Sequence, residues 1–157
     1  MAADSVIRTG DLLLVRFDQP PPPKSQLLVP VLMWPLPLSG SGEDVLVEGR
    51  PVCLEDDEYP EEAGPSTLLD YTVVAAPKPY VEGKGVLRLT LEPSNKTAHT
   101  TADGVKVLIR GRSFPAAFDV SVPAAQAQEN GAPLYDSTTS YPGRAKFLTW
   151  SGTVAAG

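Results

Sequence analysis

The sequence predicts an all-β, loop-rich fold, and three observations carry that reading. Its apolar residues fall in short runs of β-branched and aliphatic side chains, such as Leu12-Leu13-Leu14-Val15, Thr72-Val73-Val74 and Val86-Leu87-Arg88-Leu89. Such runs form strands half or fully buried in a sheet. Thirteen glycines and 17 prolines punctuate them, well above average usage, at the spacing that tight turns require. Finally, one stretch is stated twice: residues 42–57 slide onto 104–119 by 62 positions. That shift pairs Gly42 with Gly104, Val45 with Val107, Leu46 with Leu108, Val47 with Ile109, Gly49 with Gly111, Arg50 with Arg112 and Asp57 with Asp119. A repeat of this kind is read as a duplicated strand-turn-strand unit, with Gly49 and Gly111 at equivalent turns. Two ordinary hairpins that share turn chemistry are the alternative.

A 157-residue chain forms one domain and buries enough surface to need no disulfide scaffold. Cys53 stands alone, so an intramolecular disulfide and a cysteine-cluster zinc site are excluded. A formal charge of −6 with pI near 4.7 argues against nucleic acid and against stable anchoring on anionic membranes, since both select basic surfaces. The longest apolar tract, residues 27–38, holds Pro30, Pro35 and Pro37 and is too short and broken to span a bilayer as a helix. With no secretory signal visible, the protein is expected to be made in the cytoplasm.

In chain order, residues 12–17 suit a strand buried on both faces after a Gly10-Asp11 turn. Pro20 to Pro23 require an extended, polyproline-like segment, a stiff loop or a ligand for a proline-recognition domain. Residues 26–38 suit a sheet edge, because proline lacks the N–H that an interior ladder needs. The carboxylates at 55–58, 61 and 62 lack the spacing of a calcium loop and read as a solvated acidic loop. Residues 67–76 are strand-like, Gly83-Lys84-Gly85 reads as a turn, and 93–104 reads as a polar loop holding the single histidine, His99. Residues 124–128 could wind one helical turn, Asn130-Gly131 signals a hairpin, and Pro142-Gly143 turns into a last strand at 145–150. Asn95-Lys96-Thr97 has the form of a glycosylation acceptor.

Little here suggests catalysis. His99 has no nucleophile turn near it in sequence, and no glycine-rich loop runs into a helix. Cys53 sits where strand alternation buries it, so a core thiol is favoured over a ligand or nucleophile. The chain is read as a non-enzyme without cofactor, and Cys53 and His99 are the only soft donors on which a metal site could draw.

The doubled unit resembles the half-repeats of PAAR-domain proteins, which cap the spike of contractile injection machines such as type VI secretion systems and phage-tail-like particles. Each half there reads as a valine-rich strand, a glycine turn, a Pro-Ala-Ala-type stretch and an aspartate. Residues 45–57 and 107–119 carry that order, Pro115-Ala116-Ala117 comes close to the name-giving motif, and Gly10-Asp11 resembles the family's opening. The usual metal site of three histidines and a cysteine cannot be complete with one of each. The resemblance implies a single conical domain, with residues 1–123 as the PAAR-like part and 124–157 as a β extension of it. It implies a trimeric β-helical (VgrG-like) spike as partner, leaves room for a toxin cargo, and implies cytoplasmic assembly into a particle that is later released or fired. A single copy on a trimer must offer three similar faces. Two repeat units plus the region starting at Gly10-Asp11 could supply them, and Leu32, Met33 and Trp34 would contribute an apolar base contact. The alternatives are a carbohydrate-binding β-sandwich with Trp34, Tyr135, Tyr141 and Trp150 along a groove, and a β-rich hydrolase using the carboxylates of 55–62.

Overall fold

The computed structural model describes residues 4–18, 29–31, 36–60, 63–74, 78–150 and 155–156, with no side chains at 29–31 and 74. These contain fifteen strands: β1 (Asp4–Ser5), β2 (Leu12–Phe17), β3 (Val29–Val31), β4 (Leu36–Pro37), β5 (Gly42–Val47), β6 (Arg50–Val52), β7 (Leu69–Val74), β8 (Tyr80–Leu89), β9 (Lys96–Ala102), β10 (Val105–Leu108), β11 (Phe114–Val122), β12 (Ala125–Gln126), β13 (Leu134–Tyr135), β14 (Ser140–Leu148) and β15 (Ala155–Ala156). A 3-10 turn at Pro93–Asn95 interrupts them. The protein is all-β, as the sequence predicts. No described helix is long and apolar enough to cross a membrane.

Most strands join one antiparallel sheet in the order β4-β2-β14-β11-β8-β7-β3, with β12 extending the β11 side of β8 and β13 beyond it. Six strand spacings would put the two edges about 29 Å apart in a flat sheet. Yet β3 and β4 are separated in sequence only by residues 32–35, a link that spans at most about 18 Å. The sheet therefore curls into a half-barrel. Its inner face carries Leu13, Val15, Tyr71, Val73, Leu87, Leu89, Phe114, Ala116, Phe118, Tyr141, Ala145 and Phe147, all buried. The edge strands β4 and β3 both come from the proline-broken run, where missing N–H groups disturb the ladder least.

Several expectations need correction. Residues 12–17 bury only Leu13 and Val15, so β2 has one inner face and not two. Gly83-Lys84-Gly85 is strand interior: Gly83 lies against the Tyr71 ring and Gly85 against Phe118, places where any Cβ would collide. Pro142-Gly143 also lies inside a strand, β14, where Pro142 faces Ala117 and Gly143 lets the Arg16-Phe17 backbone approach. Residues 96–102 form a strand and not a loop. Ala125–Gln126 extend as β12, pairing with Val81 and with Leu134–Tyr135, so no helical turn forms there. Asn130-Gly131 lies in the seven-residue connection between β12 and β13, with Gly131 at φ 123°. β14 is central in the sheet, between β11 and β2, so strands from before and after residue 123 share one core.

A threefold ring of strands as the candidate functional site

Beside the half-barrel stand three two-stranded arms. The β5–β6 hairpin turns at Glu48-Gly49 (φ 51° and 78°) and the β9–β10 hairpin at Asp103-Gly104 (φ 52° and 78°). Two consecutive positive φ values make both type I′ turns, which match the twist of the flanking strands. β15 pairs with β1 to form the third arm, Ala155 facing Ser5 and Ala156 facing Asp4. Asp4 and Ala156 stand at the end of this arm that corresponds to the turns of the other two.

The returning strands close into a ring. Val6 bridges Ile109, Arg8 bridges Val52 and Leu54 bridges Val107. At its centre the amide of Ile7 donates to the Leu108 carbonyl (3.0 Å), that of Leu108 to Cys53 (2.9 Å), and that of Cys53 back to Ile7 (2.8 Å). A second cycle repeats the pattern: Thr9 to Pro51, Glu55 to Lys106 and Arg110 to Ser5, each 2.9 Å. Three hexapeptides thus occupy equivalent places: Val6-Ile7-Arg8-Thr9-Gly10-Asp11, Val52-Cys53-Leu54-Glu55-Asp56-Asp57 and Val107-Leu108-Ile109-Arg110-Gly111-Arg112. Their fifth residues all take positive φ: Gly10 93°, Asp56 83°, Gly111 55°.

The doubled unit is therefore a tripled one, and the register at 62 is wrong. Gly49 corresponds to Gly104, and Gly111 to Gly10 and Asp56. The 62-residue shift laid the returning strand at Val107-Leu108-Ile109 on the outgoing strand at Val45-Leu46-Val47, because one hairpin carries its Val-Leu triplet on the outgoing strand and the other on the returning strand. The acid-glycine turn dipeptides, 55 residues apart, carried the correct signal. Pro115-Ala116-Ala117 lies in β11 of the half-barrel, outside the ring.

The ring is packed along its axis. Ile7, Cys53 and Leu108, each 0 % exposed, point into the half-barrel core. Val6, Val52, Val107, Leu54, Ile109, Val47 and Ala102 fill a second core between the arms. Arg8 takes the place held by Leu54 and Ile109 in the other hexapeptides; its Nη1 meets Glu48 Oε2 at 2.6 Å. Aspartates tie two of the three corners: Asp11 Oδ2 accepts the Arg8 amide (2.9 Å) and Asp57 Oδ2 the Leu54 amide (2.8 Å). Arg112 holds the third position, and buried Asn95 substitutes, its carbonyl accepting the Ile109 amide and its side chain donating to Arg110 and Arg112.

Other sequence candidates sit elsewhere. The Cys53 thiol is held protonated, its pKa pushed well up by burial and then by Asp57 and Asp11. His99 faces solvent on β9, and no group of three histidine, cysteine or acidic side chains among the described residues could hold a metal. Leu32, Met33 and Trp34 lie outside the described residues. So do Glu61 and Glu62, but the acidic loop is not simply solvated: Asp57 holds Ser41 and Leu54, and Glu58 is buried with Oε2 unpartnered. Tyr141 is buried, whereas Tyr135 and Trp150 are exposed.

Compared with known families, all of residues 1–157 match the family described as contractile injection system spike tip protein. The chain belongs to that family. Members are structural tip proteins associated with the spike of a contractile machine. A search of curated proteins returns no match.

Proposed function

We propose that this spike tip caps and sharpens a trimeric, VgrG-like β-helical spike, docking through the free end of the three-armed ring. The observation that carries the reading is the pair of cyclic backbone hydrogen-bond sets. A single chain meeting a trimer faces a symmetry mismatch, and three equivalent strand corners resolve it. The arms also present apolar side chains to the outside, Val45, Leu46 and Val105, beside the two turns. Exposed apolar residues near a symmetric end mark an interface. The half-barrel then leads, helps pierce the target envelope, and leaves room for a toxin cargo. Assembly takes place in the cytoplasm, and the tip leaves with the particle. The protein works without catalysis: the buried Cys53 and exposed His99 offer no activated nucleophile.

Electron microscopy of the spike trimer mixed with the tip tests this reading. Loading should place the ring end on the trimer axis, and Leu46→Glu with Val105→Glu should abolish loading while circular dichroism stays unchanged. A folded double variant that loads normally overturns the docking face. Leu32, Met33 and Trp34 remain our proposed second contact; Leu32→Glu with Trp34→Glu, if folded, should weaken loading as well.

A further inference from the structure

At the rim of the half-barrel opposite the ring, residues 127–133 link β12 to β13. The link carries Asn130-Gly131, the one asparagine-glycine pair in the chain, which the docking does not use. Both residues are exposed, and Gly131 takes φ 123°. Among the described residues no hydrogen bond holds the Asn130 carboxamide or the Gly131 amide. A Cβ at Gly131 would meet nothing within 4 Å, so no neighbouring group crowds the approach to it. The other asparagine of the chain is the opposite case. Asn95 is 0 % exposed, and its Oδ1 accepts the Glu92 amide at 3.2 Å. Its Nδ2 donates to the Arg110 and Arg112 carbonyls at 3.1 and 2.7 Å, and Lys96 follows it in place of a glycine.

We infer that Asn130 is a site of self-modification, at which the Gly131 backbone nitrogen displaces the carboxamide nitrogen of Asn130. That nitrogen, once it has lost its proton, attacks Cγ of Asn130. The bond from Gly131 N to Cγ forms, the Cγ–Nδ2 bond breaks, and Nδ2 leaves as ammonia. Solvent water then opens the resulting cyclic imide at one of its two carbonyls. Opening at Cγ leaves aspartate. Opening at the main-chain carbonyl leaves isoaspartate, which lengthens the β12–β13 link by one main-chain atom. Glycine is what admits the attack, because a residue without Cβ neither shields its own nitrogen nor restricts the backbone as the ring closes. Either product adds one negative charge, taking the formal charge of the chain from −6 to −7. The new carboxylate stands beside Glu129, in the open groove that Lys78 also lines. None of this depends on how the tip docks.

The test incubates the full chain in mildly alkaline buffer made with heavy-oxygen water, beside a free peptide of residues 127–133, and follows both by peptide mapping. A mixture of aspartate and isoaspartate is expected at position 130, each carrying one heavy oxygen atom, while Asn95 stays intact. The rate should rise with pH, since the attacking amide must first lose its proton. Gly131→Ala should slow conversion about tenfold or more. Asn130→Gln, which needs a larger ring, should abolish the added negative charge on ion exchange. Circular dichroism checks that both variants fold. An Asn130 still intact once the free peptide has converted overturns the inference. So does conversion of Asn95 at the same rate, or a folded Gly131→Ala variant that converts as fast as the unaltered chain.

Discussion

Asp136 accepts both buried phenols on one carboxylate oxygen, Tyr71 at 2.9 Å and Tyr141 at 2.5 Å, while Oδ1 takes the Thr138 amide. The Tyr71 hydroxyl in turn accepts the Ala124 amide, so one carboxylate knits the rim loop to β7 and β14. Burial first pushes the Tyr71 pKa up to about 12, and that of Tyr141 also rises. Both phenols thus stay protonated donors throughout the physiological range. Tyr141→Phe should lower unfolding stability by about 1.5–3 kcal/mol in chemical denaturation, since it strips a donor from a buried charge. Glu58 makes the opposite case. It is 7 % exposed, and its pKa is raised chiefly by desolvation, with Asp56 and Asp57 adding repulsion. A carboxyl whose folded pKa exceeds its unfolded one binds more protons when folded, so its contribution to stability falls as pH rises through the interval between them. Glu58→Gln should therefore raise the melting temperature at neutral pH, with the gain vanishing below the ordinary carboxylate range. A gain that grows on acidification would contradict the assignment.

The two hairpins and the ring corners use glycine for different reasons, and this separates them experimentally. A Cβ on Gly49 would touch nothing, so Gly49→Ala meets only the strain of a left-handed φ, about 1–2 kcal/mol. A Cβ on Gly111 would stand 2.1 Å from the Ser94 carbonyl oxygen, in backbone that cannot step aside. Gly111→Ala should thus destabilise by more than about 4 kcal/mol. Gly104→Ala should behave like Gly49→Ala, since the turns are equivalent. Equal losses at Gly49 and Gly111, measured by denaturant midpoint, would restore the 62-residue register.

Across the whole molecule, one chain builds threefold symmetry only at one end and abandons it at the other. Among the described residues the third arm is held by two residue pairs, and by Asp4, which takes the Gly111 amide at 2.8 Å and faces Arg110. It is the arm with least sequence-local support, so hydrogen exchange at Ser5 and Ala156 should outpace exchange at Val52 and Val107. Uniform protection of the three arms would show that the ring opens only as a unit.

Short β-branched runs broken by glycine and proline determined the all-β class, the edge position of β3 and β4, and the burial of Cys53, because these follow from local backbone preference and alternation. Acid-glycine pairs likewise carried the hairpin turns. What the tertiary structure decided was the register of the repeat and the identity of its third copy. Val6-Ile7-Arg8 gains meaning only when Ile109 and Val52 close on either side of it, contacts about 100 and 45 positions away that no local pattern encodes. The same holds for Gly83, Gly85 and Gly143. In sequence they read as turns, and in the sheet they stay extended because Tyr71, Phe118 and the Phe17 backbone fill the space beside them. Packing overrode propensity wherever a neighbouring strand needed the room.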